Sequence, residues 1–104
     1  MSVTITRKRG DTYPIEATIK INGELVDLSG SVMKFSFKPS DGSGTVTTID
    51  GVLSTTELGK VIFTPTENDM AVAGKYLFDI QRSNGGIIAT HLSGMLLLEG
   101  DVTP

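Results

Sequence analysis

The sequence contains no cysteine and no tryptophan among its 104 residues. Without cysteine the chain has no disulfide framework, no thiolate nucleophile and no cysteine-ligated zinc site. Its most apolar run, 95–98, is far too short to cross a bilayer, so we expect no membrane partner. Residues 1–5 lack the apolar core of a signal peptide, and we therefore expect no secretion signal.

Basic charge is also scarce. Nine lysines and arginines stand against twelve acidic residues, which gives a net charge of -3 and a pI near 4.9. Nucleic-acid-binding domains usually carry a basic excess, so we expect no nucleic-acid partner. The one basic run, Arg7-Lys8-Arg9, is interpreted as a solvated strand end rather than a phosphate site.

The length and the balance of residue types indicate one folded domain that spans residues 1–104. A chain of 104 residues leaves no room for a second core. Hydrophobic residues make up 38% of it and charged residues 20%, which is typical of a globular protein and not of a disordered one.

Alternation of apolar and polar residues is the strongest pattern. It covers residues 15–21, 33–38 and 76–80. Because successive side chains of a strand point to opposite faces, each segment is predicted to be a half-buried strand. Asn22-Gly23 and Asp50-Gly51 predict turns, the second followed by another short strand. The predicted core includes Ile19, Met33, Phe35, Phe63, Tyr76, Phe78 and Leu92.

The last two strands are predicted to form a hairpin. A three-residue loop, Asn84–Gly86, places Phe78 opposite Leu92 and so matches apolar with apolar side chains. It also sets Asp79 opposite His91 on the solvated face. A two-residue Asn-Gly turn is the alternative, and it places Phe78 opposite His91 instead.

Helix is nearly absent. Only 66–73 has helical features, with Thr66 and Asp69 at a capping-box spacing. Tyr76, closely preceded by glycine at the start of a late strand, resembles the tyrosine corner of immunoglobulin-like domains. We therefore predict an all-β fold: an immunoglobulin-like antiparallel β-sandwich of about seven strands, with at most one short helical turn.

No constellation predicts catalysis. His91 is the only histidine, and a pairing with Asp79 has no accompanying nucleophile or oxyanion hole, so we interpret it as ordinary cross-strand pairing. The acidic residues lack the spacing of a calcium loop. Gly42-Ser43-Gly44 lacks the lysine and hydroxyl residue of a phosphate loop. We expect no enzyme, no metal and no cofactor.

Two apolar residues near the end of the last strand predict a binding surface. Ile88, Leu92 and Leu96 share one face by alternation, which we assign to the core. Met95 and Leu97 then point the other way. Large apolar side chains on a nominally solvated face often mark a partner site.

The candidate interface residues are Leu77, Met95 and Leu97. Two alternatives stay open for this face. The N-terminal strand could cover it through Val3 and Ile5, or a bulge at Gly94 could exchange the two faces of the last strand.

Several stretches together resemble a known family. They are 5–12, 27–30, 59–66, 73–76, 78–81 and 94–98. In order and spacing they resemble small immunoglobulin-like domains of tailed bacteriophages, akin to the N-terminal domain of phage baseplate upper proteins. The resemblance implies a phage or prophage structural protein of the tail, baseplate or head–tail region. Such a protein is made in the bacterial host cytoplasm and located in the virion.

The implied partners are other phage structural proteins, with self-association as a further option. Baseplate upper proteins continue into further domains, whereas this sequence ends at Pro104, so the position in the particle stays open. The alternative function is a carbohydrate- or cell-surface-binding β-sandwich module. The absence of tryptophan and the assignment of most other aromatic residues to the core count against it.

Overall fold

The chain folds into a β-sandwich. The structure, a computed structural model, describes residues 2–10, 12–42 and 44–100, with the backbone alone for Ser2 and Val3. These residues form nine strands and no helix: β1 Ser2–Lys8, β2 Ile15–Thr18, β3 Lys20–Ile21, β4 Glu24–Leu25, β5 Val32–Pro39, β6 Thr47–Leu53, β7 Lys60–Phe63, β8 Gly74–Asn84 and β9 Ile87–Glu99. The all-β sandwich predicted from the sequence is confirmed.

Seven of the strands form a continuous sheet in the order β1-β9-β8-β5-β6-β7-β2, and β3 pairs with β4 in a separate hairpin. Every pair in the large sheet is antiparallel except β1–β9, which is parallel. The turn predicted at Asn22-Gly23 closes the small hairpin, and both residues have positive φ angles, 52° and 81°. The described part of the chain has no helix that could span a membrane.

β6 divides the large sheet into two layers. Its first half pairs with β5 and its second half, from Gly51, pairs with β7. A Cβ on Gly51 would lie only 2.6 Å from Val61 Cγ2 and 2.7 Å from Phe63 Cε1, so glycine permits the close approach at this corner. The turn predicted at Asp50-Gly51, with a new strand after it, is wrong because β6 passes through this corner as one strand.

The core lies between the two layers. Among the described residues, the buried apolar side chains are Ile15, Ala17, Ile19, Leu28, Met33, Phe35, Phe37, Ile49, Val61, Phe63, Met70, Phe78, Ile80, Leu96 and Leu98. Phe35 stacks on Phe78 with ring centroids 4.9 Å apart, and Phe63 lies 5.7 Å from Phe35. Of the predicted core residues, Tyr76 and Leu92 are only partly buried; the other five are buried.

The segment before β8 contains the predicted cap without a helix. The Asp69 amide donates to Thr66 Oγ1 at 3.2 Å, and the Thr66 amide donates to Asp69 Oδ2 at 2.9 Å, which is the reciprocal pattern of a capping box. The chain makes only a hydrogen-bonded turn there. The Tyr76 hydroxyl then donates to the Val72 carbonyl at 2.7 Å, the kind of bond that a tyrosine corner makes.

The β8–β9 hairpin closes on a two-residue loop, Gly85-Gly86, with Asn84 opposite Ile87. Both glycines have positive φ angles, 59° and 86°, as the tight turns of two-residue hairpins require. The predicted three-residue loop is therefore wrong, and so is its two-residue alternative. The physical reason is the second glycine, which lets the turn move one residue along the chain.

A bulge in β9 then changes the register. Ile80 lies opposite Leu92 and Gln81 opposite Thr90, which leaves His91 as the extra residue. As a result Phe78 lies opposite Gly94 and Asp79 lies opposite Ser93. The predicted pairs Phe78–Leu92 and Asp79–His91 are both wrong, although the bulge still matches an apolar pair, Ile80 with Leu92.

Candidate interface on the outer face of the large sheet

The structure brings Leu77, Met95 and Leu97 together on one face. Leu77 lies directly opposite Met95, and opposite residues of an antiparallel pair project to the same side. Phe78, next to Leu77, and Leu96, between Met95 and Leu97, are buried. Alternation therefore directs the three side chains away from the core. Leu77 is 46% exposed, and Met95 and Leu97 are half-buried.

The bulge at His91 sets how far this outer face extends along β9. Between the bulge and the hairpin tip the alternation is reversed, so Ile88 lies opposite Ser83 and is 67% exposed. Its assignment to the core is wrong for that reason. The strand is regular from Leu92 to Glu99, and no bulge occurs at Gly94, so the outward direction of Met95 and Leu97 is kept.

β1 lies beside β9 and does not fold over it. Ile5 is in register with Leu96 and packs against the core, whereas Thr4 is in register with Met95 and is exposed. Ile5 therefore widens the inner face of the sheet and leaves the outer face open. The alternative in which Ile5 covers this face does not occur, and the side chain of Val3 lies outside the described residues.

Two open hollows flank Leu77. One, of about 350 Å³, is lined on its polar side by Ser36, Lys38 and Asp79, and Val46 contributes an apolar wall. The other, of about 330 Å³, lies toward Met95. We call Val46, Leu77, Met95 and Leu97 the outer patch. Its hollows are shallow, which suits the side chains of another protein better than an enclosed small molecule.

Charged side chains surround the outer patch. Lys38 lies opposite Leu77, and Lys75 lies opposite Leu97. Both lysines are exposed, and neither forms an ion pair within the part of the chain that the structure describes. Lys34, further along the same face, is bound instead to Asp50 at 3.0 Å.

The predicted Asp79–His91 pair does not form. No hydrogen bond joins the two among the described residues, and Asp79 Oδ1 and His91 Nε2 are each buried without a hydrogen-bond partner there. Burial lowers the pKa of His91, and the positive charge of Arg82 lowers it further. Within the described ranges no group of three or more histidine, aspartate or glutamate side chains could hold a metal ion.

Another hollow, of about 470 Å³, lies elsewhere, between the β6–β7 loop and residues 27–29. Lys60 at its rim bonds to Glu16 at 3.1 Å and to Glu57 at 3.2 Å, and these two hydrogen bonds raise the pKa of Lys60. This hollow, which is lined by both polar and apolar residues, was not predicted from the sequence. The run Ser54-Thr55-Thr56 is its only local signal, and such runs are common in loops.

Comparison with known proteins adds a likeness to solved structures. No protein-family model matches the chain, and no curated protein sequence matches it significantly. Among solved structures it is similar to the N-terminal domain of phage TP901-1 ORF48, with a TM-score of 0.62 and 16% sequence identity. The match covers 95% of this chain and 85% of that one. The chain has the fold of a phage protein domain.

Proposed function

We propose that the chain is a structural protein of a phage or prophage particle and that it assembles through the outer patch with structural proteins of the particle, which include other copies of itself. The fold shared with the N-terminal domain of phage TP901-1 ORF48 carries the phage assignment. The resemblance of the sequence to small domains of tailed phages supports the same assignment. The tail, the baseplate and the head–tail region are the positions that this resemblance favours.

The outer patch supports docking rather than chemistry. It places the apolar side chains of Leu77, Met95 and Leu97 on an open sheet face with Val46 beside them, and charged residues lie around it. Protein interfaces have this arrangement of an apolar centre and a polar rim. The proposal contains no catalytic step, no metal and no cofactor.

Incorporation into particles tests the proposal. Particles purified from an induced lysogen or a phage stock are expected to contain the protein in a fixed ratio to the other structural proteins, measured by quantitative mass spectrometry. The variant Met95→Lys with Leu97→Lys is expected to fold and to be lost from the particles. The matched control is Val52→Lys with Val72→Lys, because both valines are 68% exposed and lie outside the outer patch.

Each outcome of this experiment tests one part of the proposed function. If purified particles lack the wild-type protein, the structural role is wrong. If the patch variant enters particles as well as the control does, docking uses another surface. If the patch variant unfolds, Met95 and Leu97 belong to the core and the patch is not an interface.

A second candidate function rests on Tyr13, which is 72% exposed. It lines a hollow with Thr6, Arg7, Lys8 and Glu99. An exposed ring beside hydroxyl and charged groups can stack on a sugar and hold its hydroxyls. If the chain is a cell-surface-binding module, binding to host cell-wall polysaccharide is expected to be lost in Tyr13→Ala and kept in the outer-patch variant.

A further inference from the structure

Three outward-facing residues of β8 form a stripe of alternating character: Lys75, Leu77 and Asp79. They are a cation, an apolar residue and an anion, each about 7 Å from the next along the strand. Buried Phe78 and Ile80 mark the opposite face of the same strand. Lys75 is exposed and Asp79 is half-buried, and among the described residues neither takes part in an ion pair. We call these three residues the β8 stripe.

The β8 stripe is complementary to itself when it is reversed. If two stripes face each other antiparallel, Leu77 meets Leu77 of the other copy. Lys75 of each copy then meets Asp79 of the other. If they face each other parallel, Lys75 meets Lys75 and Asp79 meets Asp79, which is unfavourable. The charge pattern thus selects one of the two arrangements.

We propose that the outer patch binds a second copy of this chain, related by a two-fold axis that crosses β8 at Leu77. Such an axis places the same surface on both sides of the interface, as in most homodimers. It also stacks Met95 on Met95 of the other copy, because β9 is adjacent and in register. The dimer is a face-to-face packing of two sheets.

The dimensions of packed sheets fit the proposal. Facing sheets lie about 10 Å apart, and the long stem of a lysine together with the short stem of an aspartate can bridge that gap. Leucine and methionine side chains fill the same space at the centre. The interface thus joins an apolar centre to two symmetric lysine–aspartate pairs.

Lys38 opposes the pairing. It lies opposite Leu77 on β5 and so meets its own copy near the axis, where two positive charges repel. The face is also narrow, since only a few strands contribute apolar side chains. We therefore expect a weak dimer that depends on protein concentration, and we expect removal of this charge by Lys38→Gln to strengthen it.

The inference goes beyond the proposed docking function because it identifies the occupant of the outer patch. It does not require the phage role. A protein that enters particles as a monomer would refute the dimer and leave the structural role intact. A protein that dimerises in solution but is absent from particles would refute the structural role and leave the dimer intact.

Sedimentation equilibrium of the purified chain over a wide concentration range is the test. The wild type is expected to dimerise reversibly. Lys75→Glu and Asp79→Lys each place like charges across the axis twice, and each is expected to weaken the dimer about tenfold or more. Lys20→Glu, which changes an exposed lysine on β3, is the matched control and is expected to have no effect.

A mixture of the two variants gives the sharpest result. In a heterodimer of Lys75→Glu with Asp79→Lys both charge pairs are opposite again, so equal amounts are expected to associate as tightly as the wild type. If Asp79→Lys does not fold, the salt dependence of the Lys75→Glu dimer still tests the proposal. Added salt should then strengthen its dimer by screening the repulsion and weaken that of the wild type.

Three results would overturn the proposal. The first is a wild-type chain that stays monomeric at every concentration. The second is a dimer that neither charge reversal weakens, because it would use another surface. The third is a mixture of variants that associates no better than each variant alone.

Discussion

Replacing Gly51 with alanine is expected to destabilise the protein, although glycine-to-alanine changes in strands usually stabilise. The reason is the corner of β6. The new Cβ would lie 2.6 Å from Val61 Cγ2, 2.7 Å from Phe63 Cε1 and 3.1 Å from Met33 Cβ. All three neighbours are almost completely buried, so none can move aside without disturbing the core.

Two opposing effects set the magnitude. Alanine reduces the freedom of the unfolded chain, which would stabilise by about 0.4–1 kcal/mol at an accommodating site. Forcing an extra carbon into a packed core costs roughly 1–3 kcal/mol, and this site is at the upper end because two contacts are below 3 Å. The expected net loss is about 2 kcal/mol. For a domain of this size that corresponds to a fall in Tm of roughly 10 °C.

Urea denaturation followed by circular dichroism measures the free energy of unfolding. Gly100→Ala is the control, because no atom lies within 4 Å of its Cβ position and its φ is not in the left-handed region. A second change, Val61→Ala, should be less harmful in the Gly51→Ala background than in the wild type, since it removes one clash. A Gly51→Ala variant as stable as the wild type would refute the close approach at the corner.

Three further outcomes are expected. Phe35→Ala should lower the free energy of unfolding by about 3–5 kcal/mol in urea denaturation, because the ring is fully buried against three other aromatic rings. Tyr76→Phe should lower it by about 1 kcal/mol in the same assay through loss of the bond to Val72. His91 has a lowered pKa when folded, so the unfolded state binds its proton more readily below pH 6.5. Melts from pH 7 to 5 should therefore show a steeper loss of stability in the wild type than in His91→Gln.

Local patterns were sufficient to predict several strands and part of the core. The single strand predicted over 15–21 is wrong, because the chain breaks at Ile19 into β2 and β3, which lie in different sheets, and Ile21 is exposed. The alternation in 33–38 and 76–80 identified β5 and β8, because the period of two follows directly from strand geometry. The capping pair Thr66 and Asp69 was also visible in the sequence. The absence of a helix after this pair could not be predicted. A cap fixes where a helix can begin, whereas the length of the helix depends on packing around Met70, which is buried.

The pairing register of β8 and β9 could not be predicted from the sequence. Asn84-Gly85-Gly86 permits several tight turns, and the one adopted depends on how β8 and β9 pair over their whole length. The bulge at His91 has no local signal, since neither glycine nor proline marks it. Gly94 carries the usual signal of a bulge and does not form one. The parallel pairing of β1 with β9 joins the two ends of the chain, which local patterns do not report.

The outward direction of Met95 and Leu97 does not depend on the hairpin loop, and the reason is where the bulge lies. Alternation needs only a regular strand around the residues concerned. β9 is regular from Leu92 onward, so Met95 and Leu97 point away from the core even though the predicted hairpin loop is wrong. Ile88 lies on the other side of the bulge, and its assignment failed.

The outer face has a polar band beside the apolar outer patch, and the two differ in how much binding free energy a partner gains by covering them. Next to the outer patch, a polar band is satisfied within the chain: Ser36 Oγ lies 3.1 Å from Thr48 Oγ1, and Lys34 Nζ lies 3.0 Å from Asp50 Oδ1. A partner that covered this band would have to desolvate groups that are already bonded, and it would gain little in return. Asp79 sits at the border between the band and the outer patch and has no ion pair among the described residues. Binding centred on the outer patch therefore buries the apolar side chains and supplies a counter-charge to Asp79, whereas binding centred on the band does neither.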